Sequence, residues 1–225
     1  LVEGIERIGP VFSQLYGQTE CYPVSVLRKA DHDPKTPELF LSCGFPIAAC
    51  QVKILDQDDQ EVATGEAGEI CVRATHVMAE YWKRPDITAD TLKSGWLHTG
   101  DMAKMDADGF FYIVDRKKDM IKSGGENVAS VKIEETLLAH PAVQNAAVVG
   151  LPHPQWGEAV SAFVKLKPGA VADEAGIEAH CRKHLGGFQV PKLVRILEEM
   201  PMTATGKLRK VELRQQYSGH FVERA

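Results

Sequence analysis

Several features that would announce a function are missing from this chain. Its five cysteines (Cys21, Cys43, Cys50, Cys71, Cys181) include no Cys-x-x-Cys pair, so spacing offers no zinc ligand set, and the odd count leaves one thiol outside any full pairing. They read as small buried hydrophobes of a reducing compartment. No apolar run approaches the roughly 18 residues that a membrane span requires. Aromatics make up only 7% of the residues and no lysine/arginine block is interleaved with them, which argues against a nucleic-acid surface. Residues 1–15 lack a basic leader before an apolar core, so no signal peptide is expected and the cytoplasm is the expected location. The chain also starts without a Met, in mid-pattern, as a piece of a longer protein does.

What remains is an ordinary globular composition: 225 residues, 44% hydrophobic, 25% charged, net charge −5. That length allows one large or two small domains. The first half is β-rich and broken by turns. An apolar run at 11–16 reads as a buried strand ended by Gly17, and Gln18-Thr19-Glu20 follows as a polar loop where a strand opens. Further strands are expected at 52–55, 68–73 and 110–114, separated by turn signals at 56–59, 65–68 and 106–109. Pro85 opens a short helix. After residue 118 the rhythm alternates helix and strand. Ser130 is an expected N-cap for a helix whose apolar face is Val131, Ile133, Leu137 and Leu138. Strands follow at 143–150 and 159–166, a helix capped by Asp173 with Ile177, Cys181 and Leu185 on one face, a strand at 193–197, a loop at 201–206 and a polar helix at 210–217.

Four polar stretches interrupt these elements: Tyr16-Gly17-Gln18-Thr19-Glu20; a Thr99-Gly100-Asp101 turn; Asp115-Arg116-Lys117-Lys118 with the Gly124-Gly125 loop; and 201–207, ending in Gly206-Lys207. Each is weak alone. The Gly-Gly loop fits neither G-x-G-x-x-G nor the P-loop pattern. A bland alternative stands beside each: a core aromatic for Tyr16, a plain turn cap for Asp101, a surface pairing with Asp115 or Asp119 for Arg116, a tight turn for the glycines and a solvated lysine for Lys207.

In this order and spacing, YGQTE, GWLHTGD, YIVDRKKDMIKSGGENV and PMTATGKLRK resemble the adenylate-forming superfamily of acyl- and aryl-CoA synthetases, firefly luciferase and peptide-synthetase adenylation domains. The wording SGGEN followed by HPAVQNAAVVGLPHPQWGE is similar to the CoA-ligase branch. The resemblance implies a mixed α/β chain. Residues 1–115 would be the last, β-rich and barrel-like part of the AMP-binding domain, and 116–225 a small mobile α+β domain hinged near Lys118. It also implies that a carboxylic acid, fatty or aryl, is adenylated by ATP and passed to coenzyme A, releasing pyrophosphate and AMP.

Adenylation brings two anions together, so it calls for cations and positioning more than for a nucleophile. Glu20 is a hard oxygen donor suited to Mg²⁺. By resemblance, Tyr16 and Gly17 lie against adenine, Thr19 meets phosphate, Asp101 clamps the ribose hydroxyls, and Arg116 adds a ribose or phosphate contact. Lys207 would bridge the acyl carboxylate and the α-phosphate in the first step. For the second, Gly124 and Gly125 would leave room for pantetheine, with Lys122 near the adenylate or coenzyme A. The chain departs from the family pattern at Ala48-Ala49, Ala74-Thr75, Glu80 and Lys210, which leaves local turns open but removes no catalytic group. The family's Ser/Thr/Gly-rich phosphate loop is not in these residues, so adenylation by this piece alone is expected to be absent or impaired. Two readings stay open: a non-catalytic nucleotide-binding or interaction module, and an adenylation domain that loads a carrier protein. A homo-oligomer is compatible with the composition.

Overall fold

The computed structural model describes residues 1–222 and divides into two compact units, the first being Leu1–Lys117 and the second beginning at Lys118. In the first, α1 (Val2–Ile8) precedes β1 (Gln14–Gln18), β2 (Cys21–Leu27) and β3 (Phe45–Pro46), an antiparallel sheet in the order β1-β2-β3. A second antiparallel sheet holds β4 (Cys50–Leu55), β5 (Ala67–Ala74), β6 (Leu92–Lys93), β7 (Trp96–Met105) and β8 (Phe111–Arg116), with α2 (Pro85–Thr91) before β6. Its order is β4-β5-β7, and both β6 and β8 pair with β7. Cys21 and Val24 of β2 share one core with Ile54, Ile70, Val72, Leu97, Ala103 and Phe111. The two sheets therefore bury a common apolar face, the main source of their stability.

Two expectations fail here. The apolar run at 11–16 is not a buried strand: pairing begins at Gln14, Val11 and Leu15 are exposed, and the strand runs through Gly17 to Gln18. Gly17 sits at a register break between Tyr16 and Gln18, where a Cβ would lie 2.8 Å from the Cys21 carbonyl oxygen. A close backbone approach, rather than a strand end, explains this glycine. Thr99-Gly100-Asp101 is likewise not a turn between elements. It lies inside the ten-residue β7, where three residues stand opposite the single Ile70 because pairing passes from Cys71–His98 to Glu69–Met102. Gly100 takes φ +72° there, as a β-bulge allows. β2 and β7 were both missed, since each mixes polar residues into its buried row (Ser25 in one, Thr99 and Asp101 in the other).

The second unit comprises β9 (Ile121–Ser123), β10 (Glu126–Val128), α3 (Ser130–Leu138), β11 (Val143–His153), β12 (Gly157–Leu166), α4 (Glu174–His184), β13 (Leu193–Ile196) and α5 (Lys210–Gln216). The sheet runs β10-β9-β12-β11, with β13 parallel to β12. Ile133 and Leu137 of α3 and Ile177 and Cys181 of α4 cover one face, against Ala146, Val148, Val160, Ala162 and Val164. Leu213 of α5 packs on the other, with Ala147, Val149, Leu151 and Phe163. Burial on both faces is why β11 and β12 are nearly continuous apolar runs. Asp173 caps α4, its carboxylate accepting from the Gly176 N–H at 2.8 Å.

Ser130 does not cap α3. The cap position is Ala129, and Ser130 is fully buried in the first turn, its Oγ accepting from Lys210 Nζ at 2.8 Å. The helix face differs too: Val131 and Leu138 are exposed, and Ser130, Ile133 and Leu137 point inward. Among the described residues no helix is long and apolar enough to cross a membrane.

Candidate active site

Tyr16 of β1 and Arg116 of the adjacent β8 converge on Asp101 of β7. The bulge turns its side chain inward, where it is 6% exposed. The Tyr16 hydroxyl donates to Asp101 Oδ2 at 2.8 Å, and Arg116 Nε stands 3.2 Å from Oδ1. Arg116 thus pairs with Asp101, and Asp119 is taken by Arg214 at 2.7 Å. Burial, and then the Asp101 charge, raise Tyr16 far above the ordinary phenol value, keeping it a neutral donor. A carboxylate offers about four acceptor sites, so two remain on Asp101 for further hydroxyl donors. Tyr16 also packs against the apolar core, so its core role is realised whatever else its ring does.

Beneath the bulge lies a residue that the sequence reading passed over. Glu69 is 5% exposed. Its Oε1 accepts from the Gly100 N–H at 2.9 Å; its Oε2 meets Lys117 Nζ at 2.8 Å and His98 Nδ1 at 3.1 Å. Lys117 closes the loop by donating its N–H to the Gly100 carbonyl at 2.8 Å. Burial pushes the Glu69 carboxyl up, but Lys117, His98 and the Gly100 amide outweigh it, and the group lies below the ordinary carboxylate value. Cys71, 3.4 Å from His98 Nδ1, is pushed up to about 12 by burial and then by the Glu69 charge. The available signal was a lone carboxylate inside an apolar strand, Gly68–Val72, on the face opposite Ile70 and Val72.

Glu20 stands at the tip of the β1–β2 hairpin beside exposed Thr19, half-buried, with Oε1 accepting from the Tyr81 hydroxyl at 2.6 Å. Its carbonyl accepts from Met78 N–H at 2.7 Å. One carboxylate oxygen is therefore oriented; the other accepts no side-chain hydrogen bond among the described residues, and a hard cation such as Mg²⁺ with its retained waters would suit it.

The remaining site residues belong to the second unit. Lys118 is exposed, and its carbonyl accepts from Arg214 at 3.2 Å. Lys122 is exposed on β9, its N–H donating to Glu158 Oε2 at 2.7 Å. Gly124 and Gly125 are the two-residue turn of the β9–β10 hairpin, with φ +61° and +89°. Such a turn needs positive φ at both positions, and glycine adopts it without a steric cost. The tight turn is therefore the geometry observed for these glycines. Lys207 ends a loop closed between Thr203 and Lys207 by one backbone bond, Thr203 N–H to Lys207 O at 2.7 Å, and one to a side chain, Lys207 N–H to Thr203 Oγ1 at 3.0 Å. Its side chain is exposed, and no acid pairs with it among the described residues. The structure thus brings together Tyr16, Asp101 and Arg116 in one unit and Lys122, Gly124 and Gly125 in the other, with Glu20 and Lys207 each on its own loop.

Comparison with known proteins places the chain among similar ones. The model of the AMP-binding enzyme family matches residues 1–82, and that of the AMP-binding enzyme C-terminal domain matches 132–207. The medium/long-chain-fatty-acid–CoA ligase FadD8 of Mycobacterium tuberculosis is 44% identical over 96% of this chain and 39% of its own length. The chain therefore spans about two fifths of the curated relatives it matches. Among solved structures, the amide bond synthetase McbA of Marinactinospora thermotolerans superposes with a TM-score of 0.83 at 38% identity, over 96% of this chain and 43% of that one. The o-succinylbenzoate-CoA synthetase MenE of Bacillus subtilis, solved with its acyl-adenylate intermediate, gives 0.82 at 33% identity, over 96% and 42%.

Proposed function

The chain belongs to the AMP-binding enzyme family, the adenylate-forming superfamily, and on that footing we propose that it is the C-terminal part of an ATP-dependent ligase that converts a fatty or aryl carboxylic acid to its acyl-CoA. The observation that carries this reading is the convergence of Tyr16 and Arg116 on the buried Asp101. A neutral phenol and a guanidinium hold one carboxylate rigid, with two acceptor sites left over. That is the chemistry required to grip a pair of vicinal ribose hydroxyls.

Around that grip, each remaining residue takes a role suited to its surroundings. Thr19 and Glu20 sit at a hairpin tip, where a hydroxyl and a half-buried carboxylate meet phosphate and Mg²⁺. The bound ion supplies charge neutralisation on the phosphates. Lys207 brings a compact, exposed ammonium to the carboxylate and α-phosphate, where negative charges must be drawn together. The Gly124-Gly125 turn, backed by Lys122, serves the thiol-transfer step, and Lys118 is the joint at which residues 1–115 and 116–225 exchange these two tasks. The cytoplasm is the proposed compartment.

The full-length protein should catalyse exchange of pyrophosphate into ATP only when a carboxylic acid is present. A panel of fatty and aryl acids identifies the substrate, and no exchange with any acid would overturn the proposal in favour of a nucleotide-binding module. Supplying free coenzyme A, a carrier protein or an amine then decides the acceptor. The similarity to an amide bond synthetase makes the amine arm necessary.

A further inference from the structure

Spacing along the chain offered no metal ligand set, yet folding assembles two groups of three donors. Glu69, Cys71 and His98 form one and Cys21, Cys50 and His76 the other; within each, the donor atoms lie within 4.8 Å of one another. The first already contains a cation. Lys117 Nζ stands 2.8 Å from Glu69 Oε2, and a metal ion there would face that ammonium at close range. The second has no such occupant. Among the described residues its donors meet only one another and the carbonyl oxygen of Pro23.

The donor atoms of the second group lie close enough to share an ion: all three are within 4.8 Å of one another, and Cys50 and His76 stand near the ideal spacing. Ligand atoms at tetrahedral angles, with bonds of about 2.3 Å to sulfur and 2.0–2.1 Å to nitrogen, stand roughly 3.5 Å apart. Cys50 Sγ lies 3.7 Å from His76 Nε2. Both donate to Pro23 O, at 3.7 and 3.0 Å, and an ion bound by Nε2 would replace that N–H bond, the ring proton moving to Nδ1. The two thiols are buried and the histidine is exposed, so the approach is from the imidazole side. We propose that Cys21, Cys50 and His76 form a site for a thiophilic cation of the zinc class, separate from the hard-oxygen position at Glu20. Soft sulfur donors select against Mg²⁺. As each sulfur–metal bond forms, the thiol proton leaves to solvent.

The site has a structural consequence. Cys21 directly follows Glu20, and His76 lies two residues before Met78, whose N–H donates to the Glu20 carbonyl. An ion would tie the hairpin tip to the segment that already orients it.

The test is titration of the reduced, metal-free full-length protein with Cd²⁺, read by thiolate-to-metal charge-transfer absorption. The expected result is saturation at one Cd²⁺ per chain, competed by Zn²⁺ and unmoved by excess Mg²⁺, with the band lost in Cys21→Ser and Cys50→Ser. His76→Ala, at an exposed position, should weaken binding by at least the ~10–100-fold that loss of even an outer partner costs, and it decides the matter should the serine variants not fold. An absent band, a band kept in both serine variants, or affinity unchanged in His76→Ala would each overturn the site.

Discussion

Asp101 and Lys207 carry opposite charges in opposite surroundings. Asp101 sits on a bulge whose backbone is held from below by Glu69 and Lys117, and its carboxylate is gripped by Tyr16 and Arg116. Lys207 stands on a loop whose backbone is closed on itself while its side chain reaches into solvent. Asp101 is fixed by burial and side-chain pairing, whereas at Lys207 and the Gly124-Gly125 turn it is the backbone that is fixed. Rigid positioning suits the proposed ribose grip, held throughout, whereas an exposed ammonium on a long stem suits the role proposed for Lys207, needed for only one step.

The comparison can be broken most sharply at Lys207. Lys207→Ala in the full-length protein should lower carboxylate-dependent pyrophosphate exchange by about 10²–10³-fold, the usual cost of removing a group that stabilises developing charge. Thermal stability and thioester formation from preformed adenylate should stay unchanged. Equal loss of both half-reactions would sink the division of labour between Lys207 and the glycine turn. Glu69→Ala should act in the opposite way, on stability first. It leaves the half-buried Gly100 N–H and the Lys117 ammonium without this partner and should cost roughly 1–3 kcal/mol in denaturant unfolding.

A pH series sharpens the same contrast. Because folding lowers the Glu69 carboxyl below its ordinary 4.5, its stabilisation is complete above that value and fades as pH falls through the folded one. The stability gap between wild type and Glu69→Gln should therefore be widest near neutrality and shrink below pH 4.5; a gap that widens in acid would contradict the network. The smallest effect belongs to the backbone turn. Gly125 has φ +89° and open space where a Cβ would go, so Gly125→Ala should cost only backbone strain, roughly 1–2 kcal/mol. Loss of thioester formation with normal pyrophosphate exchange in that variant would add a catalytic role to the turn.

Much of the second unit could be read along the chain because its signals are local. Asp173 before an apolar-periodic helix and the long aliphatic strands around Val148 and Val160 each declare themselves within a few residues. The first unit resisted. Thr99-Gly100-Asp101 has the composition of a turn, and only pairing with β5 and β8 makes it the middle of a strand. Ser130 looked like a cap because serine usually serves there, but Lys210, eighty residues on, claims its hydroxyl.

By itself the order of four short motifs determined the family and the residues at which nucleotide chemistry is to be sought, because catalytic side chains must recur at fixed places relative to the turns that carry them. Tertiary structure alone decided what supports those residues. Glu69 under the bulge, Tyr81 on Glu20, and Cys21 beside Cys50 and His76 all join positions with no sequence proximity. Such partners are chosen by which strands pair and which side chains burial forces to find one another, and neither is written in any single stretch of the chain.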